Sequence, residues 1–98
     1  MTRALVLDAG DSVATLIDNG AAGEACQLKG DANGTVRLAA DIPYGHKVAI
    51  KPIAKGDSVV KHGETIGQAT AAIKVGEHAH VHNIESRRGR GDLYRPNS

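Results

Sequence analysis

Three histidines stand at alternate positions late in the chain, His78, His80 and His82, and Asn83 follows them directly. On an extended strand successive side chains point to opposite faces, and residues two apart lie about 7 Å apart. A strand over His78–Val81 turns Ala79 and Val81 inward and lines the histidines along the other face. Two imidazoles at that distance can reach one metal ion. A second polar pair, His46-Lys47, opens an earlier apolar run. Alternation there groups Val48 and Ile50 with His46, and Lys47 and Lys51 with Ala49. An imidazole row and a lysine pair both suit a metal-bound or carboxylate-bearing ligand. A catalytic metal usually takes three protein ligands and keeps one position open, and no carboxylate adjoins His80 and His82. Two readings stand: a site that a second protein completes, or solvated histidines on an exposed strand face. His62 and His78 read as surface residues, and Cys26, beside Gly23 and Ala25, as a quiet, semi-buried thiol.

Short strands must position these groups. Turn signals recur at Gly10-Asp11, Asp18-Asn19-Gly20, Gly30-Asp31, Asn33-Gly34, Gly56-Asp57 and His62-Gly63, and such pairs supply the positive φ that tight turns need. The runs between them predict strands over 3–7, 12–17, 35–39, 46–50, 58–60, 65–69 and 78–81. The best helical stretch, 69–73, is barely one turn. A phrase Ile-x-x-Gly-x-x-apolar occurs three times, beginning at Ile42, Ile53 and Ile73. In each, Ile anchors in the core, two residues turn, Gly adopts a conformation costly for other residues, and a strand begins. Glycines 45, 56 and 76 are spaced too irregularly for a solenoid. The expectation is a mostly β, compact, pseudo-symmetric single domain over 1–85, followed by a flexible Arg/Gly-rich tail over 86–98.

Composition bounds the partners. The 98 residues hold 12 Lys and Arg against 11 Asp and Glu, a net charge of +1, so no global field recommends nucleic acid or an anionic membrane. Phe and Trp are absent and there are two Tyr, which leaves few stacking groups for nucleic acid. The core must be built from Ala, Val, Ile and Leu, and a small domain of that kind gains from a second copy or another partner. With one cysteine there is no intrachain disulfide, which fits a reducing compartment. Four consecutive apolar residues, Ala4–Leu7, are too few for a signal peptide or a membrane span. A cytoplasmic location follows as an expectation. Arg87, Arg88, Arg90 and Arg95 make the tail basic, and its Arg90-Gly91-Asp92 is read as coincidence.

The run Ile42-Pro43-Tyr44-Gly45-His46-Lys47-Val48-Ala49-Ile50, with Ile53-Ala54-Lys55-Gly56, Gly63-Glu64-Thr65-Ile66-Gly67 and His80-Val81-His82-Asn83, closely resembles the SAF domain of the altronate and galactarate dehydratases. The resemblance covers nearly the whole chain and is sharpest at Gly45-His46-Lys47 and at His80–Asn83. It implies a β-clip fold of the antifreeze-like kind and a free-standing small subunit that works with a separate large catalytic subunit. The implied chemistry is β-elimination of water from a sugar acid. A base removes the proton α to the carboxylate, a divalent metal (iron, or Mn2+ or Mg2+) stabilises the enediolate, and an acid assists the leaving hydroxyl. Carried over by residue, His80 and His82 are candidates for metal contact or acid–base work. Asn83 is the candidate to orient substrate hydroxyls, and His46 with Lys47 to hold a carboxylate. The same superfamily offers sulfolactate cleavage, with sulfite as the leaving group. A non-catalytic module for sugar-acid binding or assembly is the alternative from another class.

Overall fold

The computed structural model describes residues 1–86; the rest of the expected tail, with its arginines, lies outside the described residues. Among the described residues nine strands form in chain order: β1 (Thr2–Val6), β2 (Val13–Leu16), β3 (Ala25–Gly30), β4 (Thr35–Arg37), β5 (Lys47–Ala49), β6 (Ser58–Lys61), β7 (Glu64–Ala69), β8 (His78–Ala79) and β9 (Ile84–Ser86). No helix occurs among the described residues, hence none long and apolar enough to cross a membrane. The mostly β SAF architecture expected from the sequence is the one observed.

Six strands make one sheet in the order β4-β3-β1-β2-β5-β8, and β6-β7-β9 make a second. Alternation splits the core between the two faces of the larger sheet. Ala14 and Val48 point into a cluster with Ala4, Val6, Leu16, Cys26, Leu28, Val36, Leu38 and Ile42. Their neighbours Val13 and Ala49 point the other way, to Ile53, Val59, Ala69, Ile73 and Ala79. Each larger aliphatic side chain buried this way contributes roughly 1.5–3 kcal/mol. The two sheets are stapled by Asp11. Its buried carboxylate accepts backbone N–H bonds from Gly63 at 2.8 Å and from Leu7 and Asp8 at 3.3 Å. Burial works to raise its pKa, but backbone donors, including that of His62, outweigh burial and hold the carboxyl below the usual range.

The repeated phrase is a structural unit, and it has a fourth copy. In 20–26, Gly20 occupies the place that Ile42, Ile53 and Ile73 hold in the others. The copies pair through isolated bridges, Gly20 with Ile42 and Ile53 with Ile73. Each contains a tight turn with its glycine at positive φ, at 23, 45, 56 and 76, as type II turns require. Each ends on a side chain with no exposed surface: Cys26, Val48, Val59 and Ala79. In three copies the residue after the glycine is an acid that reaches back to the first turn N–H. Glu24 accepts from Ala21 at 3.0 Å, Asp57 from Ala54 at 3.2 Å and Glu77 from Lys74 at 2.6 Å. In the copy beginning at Ile42 the first turn residue is Pro43, which has no N–H to cap. Position 46 is thereby released from capping, and a histidine stands there.

The predicted strands correspond to seven of the nine, with no end shifted by more than two residues. Ala25–Gly30 and Ile84–Ser86 were not anticipated. The short helical stretch over 69–73 is instead the end of β7 and an irregular link.

Candidate functional site

The site is built where the copies of the turn unit that begin at Ile42 and Ile73 run antiparallel. Strands β5 and β8 pair Lys47 with Ala79 and Val48 with His78, so the continued register sets His46 opposite His80. His46, His78 and His80 consequently lie on one face, with Lys47 on the other. The rings of His46 and His80 stack at 4.2 Å between centroids, and those of His78 and His80 at 5.3 Å. His46 Nδ1 and His78 Nε2 are 2.9 Å apart and share a hydrogen bond. One nitrogen from each of the three, all half-buried, lies within 4.8 Å of the others, a spacing that fits three imidazoles around one metal ion.

Electrostatics keep His78 and His80 ready for a metal. Burial lowers the pKa of His78, and His46, His82, His80 and Lys47 lower it further. Burial, then His46, Lys47 and His82, does the same to His80. Neutral imidazoles present lone pairs, the form that ligates.

Asn83 fixes the geometry of the trio. Strand β8 ends at Ala79 and the chain turns over 80–83, with Asn83 N–H and Ile84 N–H donating to His80 C=O. The Asn83 side chain closes this turn from inside. Its Oδ1 accepts from His80 N–H and its Nδ2 donates to His78 C=O, each at 2.9 Å. Expected to meet substrate hydroxyls, Asn83 has its carbonyl oxygen and one amide hydrogen committed to the two histidine backbones.

That turn also corrects the alternation assumed from the sequence. Period two stops at Ala79, so Val81 is 81% exposed instead of inward. The expected pairing of His80 with His82 is not the one the fold makes. His82 is exposed and lies beside His78, with ring centroids 5.3 Å apart, outside the trio. His78, read as a surface residue, is central to it. The signal for His46 and His78 as ligands was the pairing of two copies of the repeat, which is a contact 32 residues apart in the chain. His62 is exposed, and Cys26 is fully buried, its thiol pKa raised by burial first and by Glu24 and Asp18 after it.

Lys47 is half-buried and makes no ion pair among the described residues. Burial, with Lys61 nearby, lowers its pKa. It lines a cavity of about 180 Å³ with Ile66, His80, Val81, Ile84 and Ser86. An unpaired ammonium beside an imidazole in an apolar-walled cavity is suited to a small anion. Lys51, grouped with Lys47 by alternation, instead lies past the end of β5 and reaches Ala9 C=O at 3.4 Å.

Residues 2–87 match the family described as the altronate/galactarate dehydratase SAF domain. The chain is similar to the (2R)-sulfolactate sulfo-lyase subunit alpha of Paracoccus pantotrophus, 45% identical over 65 residues, covering 64% of this chain and 96% of the relative. It is also similar to altronate dehydratase of Escherichia coli (strain K12), 46% identical over 63 residues, which are 64% of this chain and 13% of that protein. For altronate dehydratase of Bacillus subtilis (strain 168) the identity is 42% over 60 residues, 61% of this chain and 12% of the relative.

Proposed function

Because the chain belongs to the altronate/galactarate dehydratase SAF-domain family, we propose that it is the small subunit of a divalent-metal-dependent hydro-lyase that dehydrates a sugar acid. The observation that carries this reading is the convergence of His46, His78 and His80 at the open edge of the larger sheet. Three imidazoles suit Fe2+ or another first-row ion better than Mg2+, which prefers oxygen ligands. When bound there, such an ion would act as a Lewis acid toward an α-hydroxy carboxylate.

The chain's own residues supply the rest of what it brings. Lys47 would hold a carboxylate oxygen from its cavity. His82, exposed and next to His78, would carry a proton to or from the substrate. Asn83 holds the backbone that fixes the spacing of His78 and His80. What this fold does not supply is cover: the half-buried trio lies at the edge of the sheet, around the two-residue strand β8. A large catalytic subunit laid over that edge would exclude water and bring the remaining acid or base. The altronate dehydratases, of which the matched residues of this chain cover about an eighth, support that division of labour. A second reading, the small subunit of a sulfolactate sulfo-lyase, is favoured by one observation, the 96% coverage of the Paracoccus alpha subunit.

Titration with Co2+ followed by visible absorption tests the metal reading. One equivalent should bind, and His46→Ala, His78→Ala and His80→Ala should each abolish the absorption while His82→Ala keeps it. Retention in His46→Ala with loss in His82→Ala would reject the trio. Capture of the partner from cell extract, with assays of the complex on altronate, galactarate and sulfolactate, tests the reaction. A complex inactive on all three would reject the lyase assignment.

A further inference from the structure

Two Asn-Gly pairs occur in the chain, Asn19-Gly20 and Asn33-Gly34, and the fold treats them oppositely. An asparagine side-chain amide can be attacked by the backbone nitrogen of the next residue. A following glycine makes the approach easiest, because it has no Cβ in the way and its backbone turns freely. Whether the attack succeeds then depends on the freedom of the side-chain amide, of the peptide between the two residues, and of the glycine N–H.

At 19–20 all three are held. Asn19 Oδ1 accepts from Tyr44 N–H at 2.8 Å. Gly20 N–H donates to Ile42 C=O at 2.8 Å, and Gly20 C=O accepts from Ile42 N–H at 2.9 Å. Gly20 is buried, and the place of a Cβ is taken by the side chains of Leu38, Leu16 and Thr2. Ring closure here would break the bridge between two turn units and drag Gly20 from the core. At 33–34 the surroundings are the reverse. Asn33 and Gly34 are both exposed, in the link between β3 and β4. Gly34 has a φ of 114°, and a Cβ on it would meet nothing within 4 Å. The link is anchored at Asp31, whose N–H donates to Val6 C=O at 2.8 Å, and at Gly34 C=O, which accepts from Leu28 N–H at 2.9 Å. The Asn33 amide and the Gly34 nitrogen lie between these anchors, with solvent at hand to take a proton.

We propose that Asn33 is a site of spontaneous covalent modification, converted to aspartate and isoaspartate, while the fold protects Asn19. The Gly34 nitrogen gives its proton to solvent and bonds to Asn33 Cγ. The Cγ–Nδ2 bond breaks, and ammonia leaves with a proton taken from water. Water then opens the five-membered succinimide that results. Cleavage of its Cγ–N bond gives aspartate. Cleavage between the Gly34 nitrogen and the Asn33 backbone carbonyl carbon gives isoaspartate, whose main chain runs through Cβ and Cγ. Water is the co-reactant, and nothing is oxidised or reduced. Either product adds a carboxylate, which raises Asp and Glu from 11 to 12, level with the 12 Lys and Arg. The modification thus removes the chain's small excess of positive charge.

Incubation of the full chain at mildly alkaline pH and physiological temperature, followed by peptide mapping with mass spectrometry, tests this. The folded chain should gain aspartate and isoaspartate at 33 about tenfold or more faster than at 19, the rate equivalent of breaking one backbone hydrogen bond. In strong urea, where the fold no longer distinguishes them, the two sites should react at comparable rates. Asn33→Gln is an exposed change whose longer side chain would have to close a six-membered ring. It should remove the early acidic form seen on ion exchange while leaving the circular dichroism unchanged. The proposal is overturned if Asn19 reacts as fast as Asn33 in the folded chain. It is also overturned if Asn33 stays intact there while reacting in urea, or if the early acidic form persists in Asn33→Gln.

Discussion

Gly56 and Gly76 offer a controlled comparison, because they occupy the same place in two copies of one turn. Their φ angles are 92° and 94°, so alanine meets the same backbone penalty at both, roughly 1–2 kcal/mol. A gain of about 0.4–1 kcal/mol from the stiffer unfolded chain partly offsets it. The surroundings differ. A Cβ on Gly56 meets nothing within 4 Å, whereas one on Gly76 would lie 2.2 Å from the backbone oxygen of Arg37. Relief requires the 37–39 segment to move outward by about 1 Å, which breaks the Ala39 N–H to Gly76 C=O bond and leaves those groups poorly paired, at about 1–3 kcal/mol. Gly56→Ala should therefore cost about 1 kcal/mol and Gly76→Ala about 3 kcal/mol or more, against a whole-domain stability of order 5–10 kcal/mol. Urea unfolding followed by far-ultraviolet circular dichroism measures both. Since Gly76 directly precedes Glu77-His78, its variant should also lose Co2+ affinity while the Gly56 variant keeps it. Equal costs for the two would refute the close approach as the reason for glycine at 76.

Asn83→Ala should lower Co2+ affinity about 10–100-fold, as removal of a group that orients ligands commonly does. Asn83→Asp, able to accept from His80 N–H but not to donate to His78 C=O, should fall between, and titration of the three proteins in parallel decides it. His78 and His80 have pKa values held below the ordinary 6.5 or so of histidine, so the unfolded chain binds more protons than the folded one as pH falls. Metal-free stability should thus be full above about pH 6.5 and decline below it, a slope that His78→Ala should reduce in urea melts run from pH 7.5 to 5. Asp11→Ala should cost about 3 kcal/mol, because it strands backbone donors of both sheets at once, and Asp11→Asn should cost less; melting temperatures would show the order.

The sequence was most informative where local geometry dictates residue type. Three glycine turns announced themselves because positive φ and a buried Ile leave a written trace. The fourth copy did not, since Gly20 replaces the Ile: a Cβ there would meet Leu38 Cδ1 at 2.4 Å, so the anchor position is filled from the opposite side. Strand β3 hid in a stretch of small residues, although Cys26 and Leu28 alternate properly between Gln27 and Lys29. At the site, the histidines were visible as chemistry but not as a set. Alternation grouped His78 with His80 and His82, yet nothing local says that the chain turns at residue 80, or that β5 lies beside β8. Those two facts exchange His82 for His46 and bring His78 to the centre.

Pro43 gives the fold a property that an engineer could use. In the units that begin at Ile53 and Ile73, Asp57 and Glu77 are each tied down by an N–H that proline would remove. Exchanging Ala54 or Lys74 for proline makes Asp57 or Glu77 dispensable at that spot, leaving a side-chain position already rigidly aimed by the turn and the following strand. The chain thus holds vacant sockets of one pattern, of which only that at 46 carries an imidazole. A new ligand could be seated at Asp57, for example, with two substitutions and no redesign of the backbone.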